Sequence, residues 1–271
     1  MIKQAIIPLA GLGTRLLPLT SVFAKELLPI NGKPGIEYIL DECIDAGIKE
    51  VIFIISKKKI MIKKYFYNDK FYKDIIKRKK DPRIITEYKK ILKYRKMIKF
   101  VFQDKPLGTG DAVLKTKKFI KDKYFLMLLP DDLIIKKNCS KSMIRIHQKF
   151  KSSVMASMKV NKKDVSRWGI YNVKNKIDNK NFIIKSVIEK PSIKQAPSNN
   201  AVIGRYILPK TIFNKLTNLK PSKGGEIHIT DAIQLLINDN NDFVGHNFSG
   251  KYLDCGTMSG YINSTLEIAK I

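Results

Sequence analysis

Ile2-Lys3-Gln4-Ala5-Ile6-Ile7-Pro8-Leu9-Ala10-Gly11-Leu12-Gly13-Thr14-Arg15 is the stretch on which the fold turns. Residues 2–10 are apolar and rich in β-branched side chains, which favours a buried strand, and the run breaks into a glycine loop over 11–15. A helical period follows: Ile36, Ile39, Leu40, Cys43 and Ile44 recur at i, i+3, i+4, i+7 and i+8, and the pattern stops at Gly47. Residues 51–55 are again a continuous apolar strand. This strand-loop-helix-strand order predicts a parallel sheet with helices on both faces. The alternation continues through a Lys-rich helical segment, a strand at 98–103, a helix opening near 108–111 and a strand at 124–129. Beyond residue 150 the pattern changes to short strands at 153–159, 169–173, 182–189 and 201–207. Helices over 211–216 and 230–237, a strand at 251–253 and a terminal helix complete the reading. No Pro/Gly/Ser linker, repeat or low-complexity tract other than the lysine bias divides the chain, so residues 1–271 are expected to form one α/β domain with a mixed, mostly parallel central sheet.

In the glycine loop, Gly11 and Gly13 allow backbone N–H groups to face a polyphosphate, and Arg15 adds a forked cation beside it. The ATPase loop needs G-x-x-x-x-G-K-[ST], and the dinucleotide fingerprint needs a third glycine where Leu16 stands, so both are excluded on spacing and an NAD oxidoreductase with them. A tight turn with an exposed arginine is what the loop alone would most simply be.

Composition bounds the rest. No run approaches the ~18 apolar residues of a membrane span, and residues 5–12 lack the basic flank and cleavage site of a signal peptide, so the chain is expected to start near Met1 and to act in the cytoplasm. Cys43, Cys139 and Cys255 are odd in number and far apart, which indicates neither a disulfide framework nor a zinc site. The formal net charge is +28, yet of the 52 basic residues seven are Arg, whereas base readout favours Arg. Residues 57–99 hold 18 Lys/Arg and four Asp/Glu, half of the excess. Tyr65, Phe66, Tyr67, Phe71, Tyr72, Tyr88 and Tyr94 lie among them, and aromatics at helical spacing between lysines are expected to form a packed face beside a solvated one rather than a nucleic-acid platform.

Pro8-Leu-Ala-Gly-Leu-Gly-Thr-Arg15-Leu-Leu-Pro18, followed by Lys25-Glu-Leu-Leu-Pro29 and Lys33-Pro34, resembles the opening motif of the bacterial UTP–glucose-1-phosphate uridylyltransferases. Further matches span the chain: Pro106-Leu-Gly-Thr-Gly-Asp-Ala-Val113, Leu129-Pro-Asp-Asp132, Trp168-Gly-Ile-Tyr171, Ile188-Glu-Lys-Pro191, Ala196-Pro-Ser-Asn199, Gly204-Arg-Tyr206, Gly224-Gly-Glu-Ile227 with Thr230-Asp-Ala232, and Leu253-Asp-Cys-Gly256. The related thymidylyl, adenylyl and guanylyl enzymes typically open with a double glycine, whereas this chain has Ala10-Gly11-Leu12.

The resemblance implies a Rossmann-like nucleotidyltransferase fold, with a nucleotide-binding half over about 1–135 and a sugar-phosphate half over about 136–271. It implies transfer of uridylyl from UTP to glucose 1-phosphate, giving UDP-glucose and pyrophosphate. Ala10, Gly11, Leu12, Gly13, Thr14 and Arg15 would hold the triphosphate. Arg15 and Lys25 would balance the departing pyrophosphate, and Gln103 with the Gly108 backbone would read the uracil edge, with Glu26 in support or simply paired with a nearby lysine. Asp131, just past an all-apolar strand, and Asp254, in the corresponding place after Tyr252-Leu253, would hold one Mg²⁺, with Asp132 behind them. On the sugar-phosphate side, with Asp132 among the binding residues, Glu189 would accept from glucose hydroxyls, Lys190 would meet the sugar phosphate, and Gly169 would permit close approach. Glu226 and Asp231 are expected to cap the helix after them.

That reaction explains what is absent. A sugar phosphate has a second pKa near ~6, so its oxygen is already anionic at neutral pH and needs no general base. His147, His228 and His246 are accordingly expected to be structural. Departures from the family's pattern at Ser21, Ala24 and Thr109 remove no named ligand. Members of the family are expected to be homo-oligomers, but the chain stops soon after a helix near 262–268, which puts the usual oligomer contacts in question. The alternatives are a thymidylyltransferase or another sugar-1-phosphate nucleotidyltransferase, and an inactive or nucleic-acid-binding relative.

Overall fold

A computed structural model describes residues 1–222 and 225–271. The opening strand is β1 (Gln4–Pro8), followed by a small hairpin, β2 (Pro29–Ile30) and β3 (Lys33–Pro34), then α1 (Gly35–Asp45) and β4 (Glu50–Ile55). Three helices fill the Lys-rich segment, α2 (Ile60–Tyr67), α3 (Asp69–Lys79) and α4 (Pro82–Met97), before β5 (Ile98–Phe102), α5 (Gly108–Leu114), β6 (Tyr124–Leu128) and β7 (Asp132–Ile135). The second half comprises α6 (Cys139–Phe150), β8 (Ser153–Lys159), β9 (Gly169–Lys176), β10 (Asn181–Glu189), β11 (Asn200–Pro209), α7 (Ile212–Asn218), α8 (Ile229–Asn238), β12 (Phe243–Asn247), β13 (Lys251–Asp254) and α9 (Met258–Ala269).

One nine-stranded sheet takes strands from both halves in the order β5-β4-β1-β6-β11-β8-β12-β10-β9. Neighbours among β5, β4, β1 and β6 are parallel. In the second half β8 and β12 are parallel, while β6/β11, β11/β8, β12/β10 and β10/β9 are antiparallel. The parallel character expected of the whole sheet thus belongs mainly to the first half.

Alternation along the central strands divides the core in two. Ala5 and Ile7, with Val51, Phe53 and Ile55, face α1, α2, α4 and α6. Ile6, Ile52 and Ile54 face the layer of α5, α7 and α8. Both faces are therefore covered, which is why these strands read as unbroken apolar runs. The aromatic side of the Lys-rich segment packs as expected: Phe66 is buried against Phe53 and Tyr94, and Tyr72 stacks on Tyr88 with centroids 5.0 Å apart. Lys59 departs from the solvated-face expectation, because it is buried and bonded to Glu26.

Five elements have no counterpart in the sequence reading: the helix α6 and the strands β2, β3, β7 and β12. The helix α6 carried a usable signal: Asn138 accepts from the Lys141 N–H as its cap, ahead of Cys139, Met143 and Ile144, which are buried. The strands β7 and β12 are short. Gly245 stands inside β12, where a Cβ would lie 2.3 Å from the Phe182 ring, so the strand lacks a side chain at its centre and its apolar signal is weak.

Candidate active site

The carboxyl ends of β1, β5 and β6 open onto a cavity of about 500 Å³. Ala10, Gly11, Leu12, Gly13 and Thr14 form one side, and Lys25, Gln103, Gly108 and Asp131 also line it. Gly13 adopts the left-handed conformation, φ 73°, immediately before a single 3₁₀ turn, Thr14–Leu16, and its carbonyl accepts from the Thr20 hydroxyl at 2.8 Å. That turn brings the mostly exposed Arg15 back toward Asp131. Gly108 has φ 92°, and a Cβ on it would lie 2.5 Å from the Ile227 carbonyl oxygen. Only glycine lets residues 107–110 pair with Ile227 through the two bonds Gly110 N–H to Ile227 O, 2.7 Å, and Ile227 N–H to Leu107 O, 2.8 Å. Of the motif at 224–227, Gly224 lies outside the described residues.

A second cavity, of about 310 Å³, opens beside the first and is lined by Arg15, Asp131, Asp132, Arg167, Gly169 and Glu189 among others. Asp131 and Leu129 belong to both linings. Lys25 Nζ donates to Asp131 Oδ2 at 2.8 Å, and Arg15 Nη2 approaches the same oxygen at 3.4 Å. Burial alone would raise the Asp131 carboxyl, but the Lys25 ammonium and its hydrogen bond outweigh it and hold it below its ordinary value. Burial likewise pulls Lys25 down, and Asp131 with Glu26 more than restores it. This pair stays ionised at neutral pH.

Asp254 is brought in by pairing of β13 with β7, in which Asp254 stands opposite Asp132. Its Oδ1 accepts from the Gly256 N–H at 2.8 Å and its Oδ2 from the Thr257 hydroxyl at 3.2 Å. A Cβ on Gly256 would meet Arg15 Nη2 at 2.8 Å, Asp131 Oδ2 at 2.9 Å and Asp254 Oδ1 at 3.2 Å. The two carboxylates therefore flank one small space that a methyl group would fill. Among the described residues no group of three or more His, Cys, Asp or Glu could cage a metal. Two carboxylates are what a hard divalent cation needs when phosphate oxygens and water complete its coordination.

Asp132 lines the smaller cavity, and both of its oxygens are also engaged within the protein. Its Oδ2 accepts from the Gly204 N–H at 2.8 Å and its Oδ1 from the Tyr252 hydroxyl at 2.7 Å, so it ties β7 to β11 and β13. Burial and the neighbouring Asp131 raise its pKa. Glu26 is 3% exposed, and both its oxygens accept from Lys59 Nζ, at 2.8 and 2.9 Å. It supports Lys25 from behind and is absent from the residues lining the larger cavity.

Gly169 and Glu189 face each other in the β9/β10 register, and a Cβ on Gly169 would come within 3.0 Å of Glu189 Oε2. Lys190, next in sequence, is exposed, has φ 44° and stands outside the lining of both cavities. Arg167 lines the smaller cavity and was missed by sequence reasoning, although it immediately precedes the Trp168-Gly169 motif. Arg205 stands out in the sequence only as the centre of the Gly204-Arg-Tyr206 match. It is fully buried, and its guanidinium donates to both oxygens of Glu42, to the Leu129 and Gly204 carbonyls at 3.0 Å each, and to the Asp132 carbonyl at 2.6 Å. With the Cys255 N–H bonded to the Asp131 carbonyl at 2.8 Å, the backbone on either side of Asp131 is fixed.

The nucleotidyl transferase family profile matches residues 4–271. UTP–glucose-1-phosphate uridylyltransferase 1 of Staphylococcus saprophyticus is 35% identical over 269 residues, covering 99% of this chain and 93% of its own. A UDP-glucose pyrophosphorylase crystallised with UDP-glucose superposes with a TM-score of 0.86 at 34% identity, over 100% of this chain and 99% of its own. The UTP-bound enzyme of Acinetobacter baumannii gives 0.90 at 31% identity, over 99% and 93%. The chain therefore belongs to the nucleotidyl transferase family, within its group of UTP–glucose-1-phosphate uridylyltransferases.

Proposed function

We propose that this protein is an enzyme that joins UTP and α-D-glucose 1-phosphate to give UDP-glucose and pyrophosphate, acting in the cytoplasm through a single domain spanning residues 1–271. The observation that carries this reading is the sharing of Asp131 between two adjoining cavities. One is floored by a glycine loop and a buried amide, as a nucleoside triphosphate requires. The other is walled by Arg15 and Arg167, which can meet a phosphate, and by Glu189 and the carboxylates about Asp131, which can accept from sugar hydroxyls or hold a cation.

The sugar phosphate is its own nucleophile: one of its anionic oxygens attacks the α-phosphorus in line, and the bond to the β-phosphate oxygen breaks. The protein's task is to bring two anions together and spread the charge that leaves with pyrophosphate. In this reading Ala10 to Thr14 hold the triphosphate and Arg15 and Lys25 meet the growing negative charge. Gln103 and Gly108 receive the base. Glu189 accepts from the sugar hydroxyls over Gly169, with Arg167 and Lys190 supplying positive charge at the rim. Asp131 and Asp254 would hold Mg²⁺, which, when bound, neutralises phosphate charge. Turnover with UTP and glucose 1-phosphate, followed by pyrophosphate release, tests the assignment against dTTP and against galactose 1-phosphate. A higher kcat/KM with dTTP or with galactose 1-phosphate would overturn the substrate pair.

A further inference from the structure

The larger cavity contains a chemical constraint on which base it admits. Gln103 is 4% exposed, and its Nε2 donates to two groups at once, the Gly108 carbonyl at 3.1 Å and Asp111 Oδ2 at 2.8 Å. Both partners are acceptors without a proton to give, so the nitrogen end of the amide must face them. Turning the amide over would set its carbonyl oxygen against a carboxylate and a second carbonyl. Gln103 Oε1 is left on the cavity side, and none of the described residues donates to it. Asp111 is itself fixed, as the fourth residue of α5, with its other oxygen 3.2 Å from Lys115 Nζ.

We infer that Asp111 is a positioning residue for base selectivity: by holding the Gln103 nitrogen inward it presents the base with an acceptor only, favouring a ring that offers N–H at N3 over one that does not. Uracil and thymine carry that N3–H between two carbonyls. Cytosine carries a lone pair at N3, which would face Oε1 unfavourably. The same geometry gives no discrimination between uracil and thymine, which differ only by a methyl group that Gln103 does not read. This rests on the reading above that Gln103 meets the base.

Competing turnover of UTP, CTP and dTTP with glucose 1-phosphate tests it in the full-length protein. In Asp111→Leu one of the two acceptors is gone, and the ratio of kcat/KM for UTP over CTP should fall about tenfold. The ratio for UTP over dTTP should stay within about twofold. Asp111→Asn keeps an acceptor oxygen in the same place and should retain the UTP-over-CTP ratio. A loss in Asp111→Leu shared equally by all three triphosphates would mean that Asp111 only stabilises α5, and would overturn the inference. Gln103→Leu separates the two levels. If that variant keeps the wild-type ratio, Gln103 does not read the base and the inference falls with that reading. If Gln103→Leu loses the ratio and Asp111→Leu keeps it, only the role of Asp111 falls.

Discussion

In the first half of the chain β5, β4, β1 and β6 run parallel, so their carboxyl ends reach one edge of the sheet, and the residue that meets a ligand follows its own strand within a few positions. Ala10 comes two residues after β1, Gln103 one after β5 and Asp131 three after β6. In the second half the strands are largely antiparallel, and the groups that meet come from different strands far apart in sequence. Gly169 stands opposite Glu189, and the second half's Asp254 is brought opposite Asp132 of the first. The parallel half writes its site locally, whereas the antiparallel half writes it in register, where a shift of one residue would turn each side chain to the other face.

The sharpest way to break this comparison is at Asp131 and Asp254, the carboxylates contributed by the two halves to one space. Asp131→Asn and Asp254→Asn should each fold and each lower turnover by about 10²- to 10³-fold, measured with saturating substrates across a magnesium titration. A large loss in one variant and near-normal turnover in the other would assign the charge to one half alone.

The next effect concerns the clamp between the halves. Arg205→Met leaves the Glu42 carboxylate buried without its partner and should cost about 3–5 kcal/mol in a denaturant titration. Removing both charges, Arg205→Met with Glu42→Leu, should recover part of that loss while turnover stays low, since the Leu129 and Asp132 carbonyls still lack their donor. Full recovery of activity in the double variant would reduce Arg205 to a stability element.

A third prediction concerns acid. Burial, with Lys180 beside it, lowers the His246 pKa from 6.5 to about 4. Nδ1 lies 2.7 Å from Asn181 Oδ1, and Nε2 lies 3.2 Å from Ser142 Oγ. The unfolded chain then takes a proton at a higher pH than the folded one, so this contribution to stability is full above about pH 6.5 and is lost as pH falls toward 4, at most about 3 kcal/mol. Trp168, the sole tryptophan, lies on the sugar side, and its fluorescence during acid unfolding reads this directly. A His246→Gln variant should flatten the limb, and an unchanged acid limb in that variant would remove His246 from the account.

The smallest effect separates Arg167 from Lys190. Arg167 lines the smaller cavity and Lys190 does not, so calorimetry should show Arg167→Ala weakening glucose 1-phosphate about tenfold, ~1.4 kcal/mol, and Lys190→Ala by less. The reverse order would mean that the turn after β10 rearranges on binding.

These contrasts also explain what was legible in the sequence. The strand over 2–10, the glycine loop, the helix ending at Gly47 and the strand before Asp131 each follow from local apolar period and a breaking residue, and the structure has an element at each. Asp132 and Glu26 are expected at the site because they sit beside Asp131 and Lys25, Glu26 in support or paired with a nearby lysine. Which groups hold them, Gly204 with Tyr252 and Lys59, is not legible, because those partners are more than 30 residues away, a distance that no periodicity spans. Arg167 carries no local signal for the same reason: its position in the cavity depends on β9 pairing with β10, which the sequence signals only weakly.

Arg205 has a bearing on movement as well. Its donors are committed to Glu42 and to carbonyls on either side of Asp131, and the Asp131 and Asp132 residues are further tied to Cys255, Gly204 and Tyr252. The floor of the site therefore has no slack of its own. Whatever opening admits two substrates and releases two products must come from the rims: residues 12–23, where Leu12, Leu17, Val22 and Phe23 stand exposed, and the turn carrying Lys190. Amide exchange should accordingly be slowest along β6 and β7 and fastest at those two edges, with the jaws pivoting about a carboxylate that stays still.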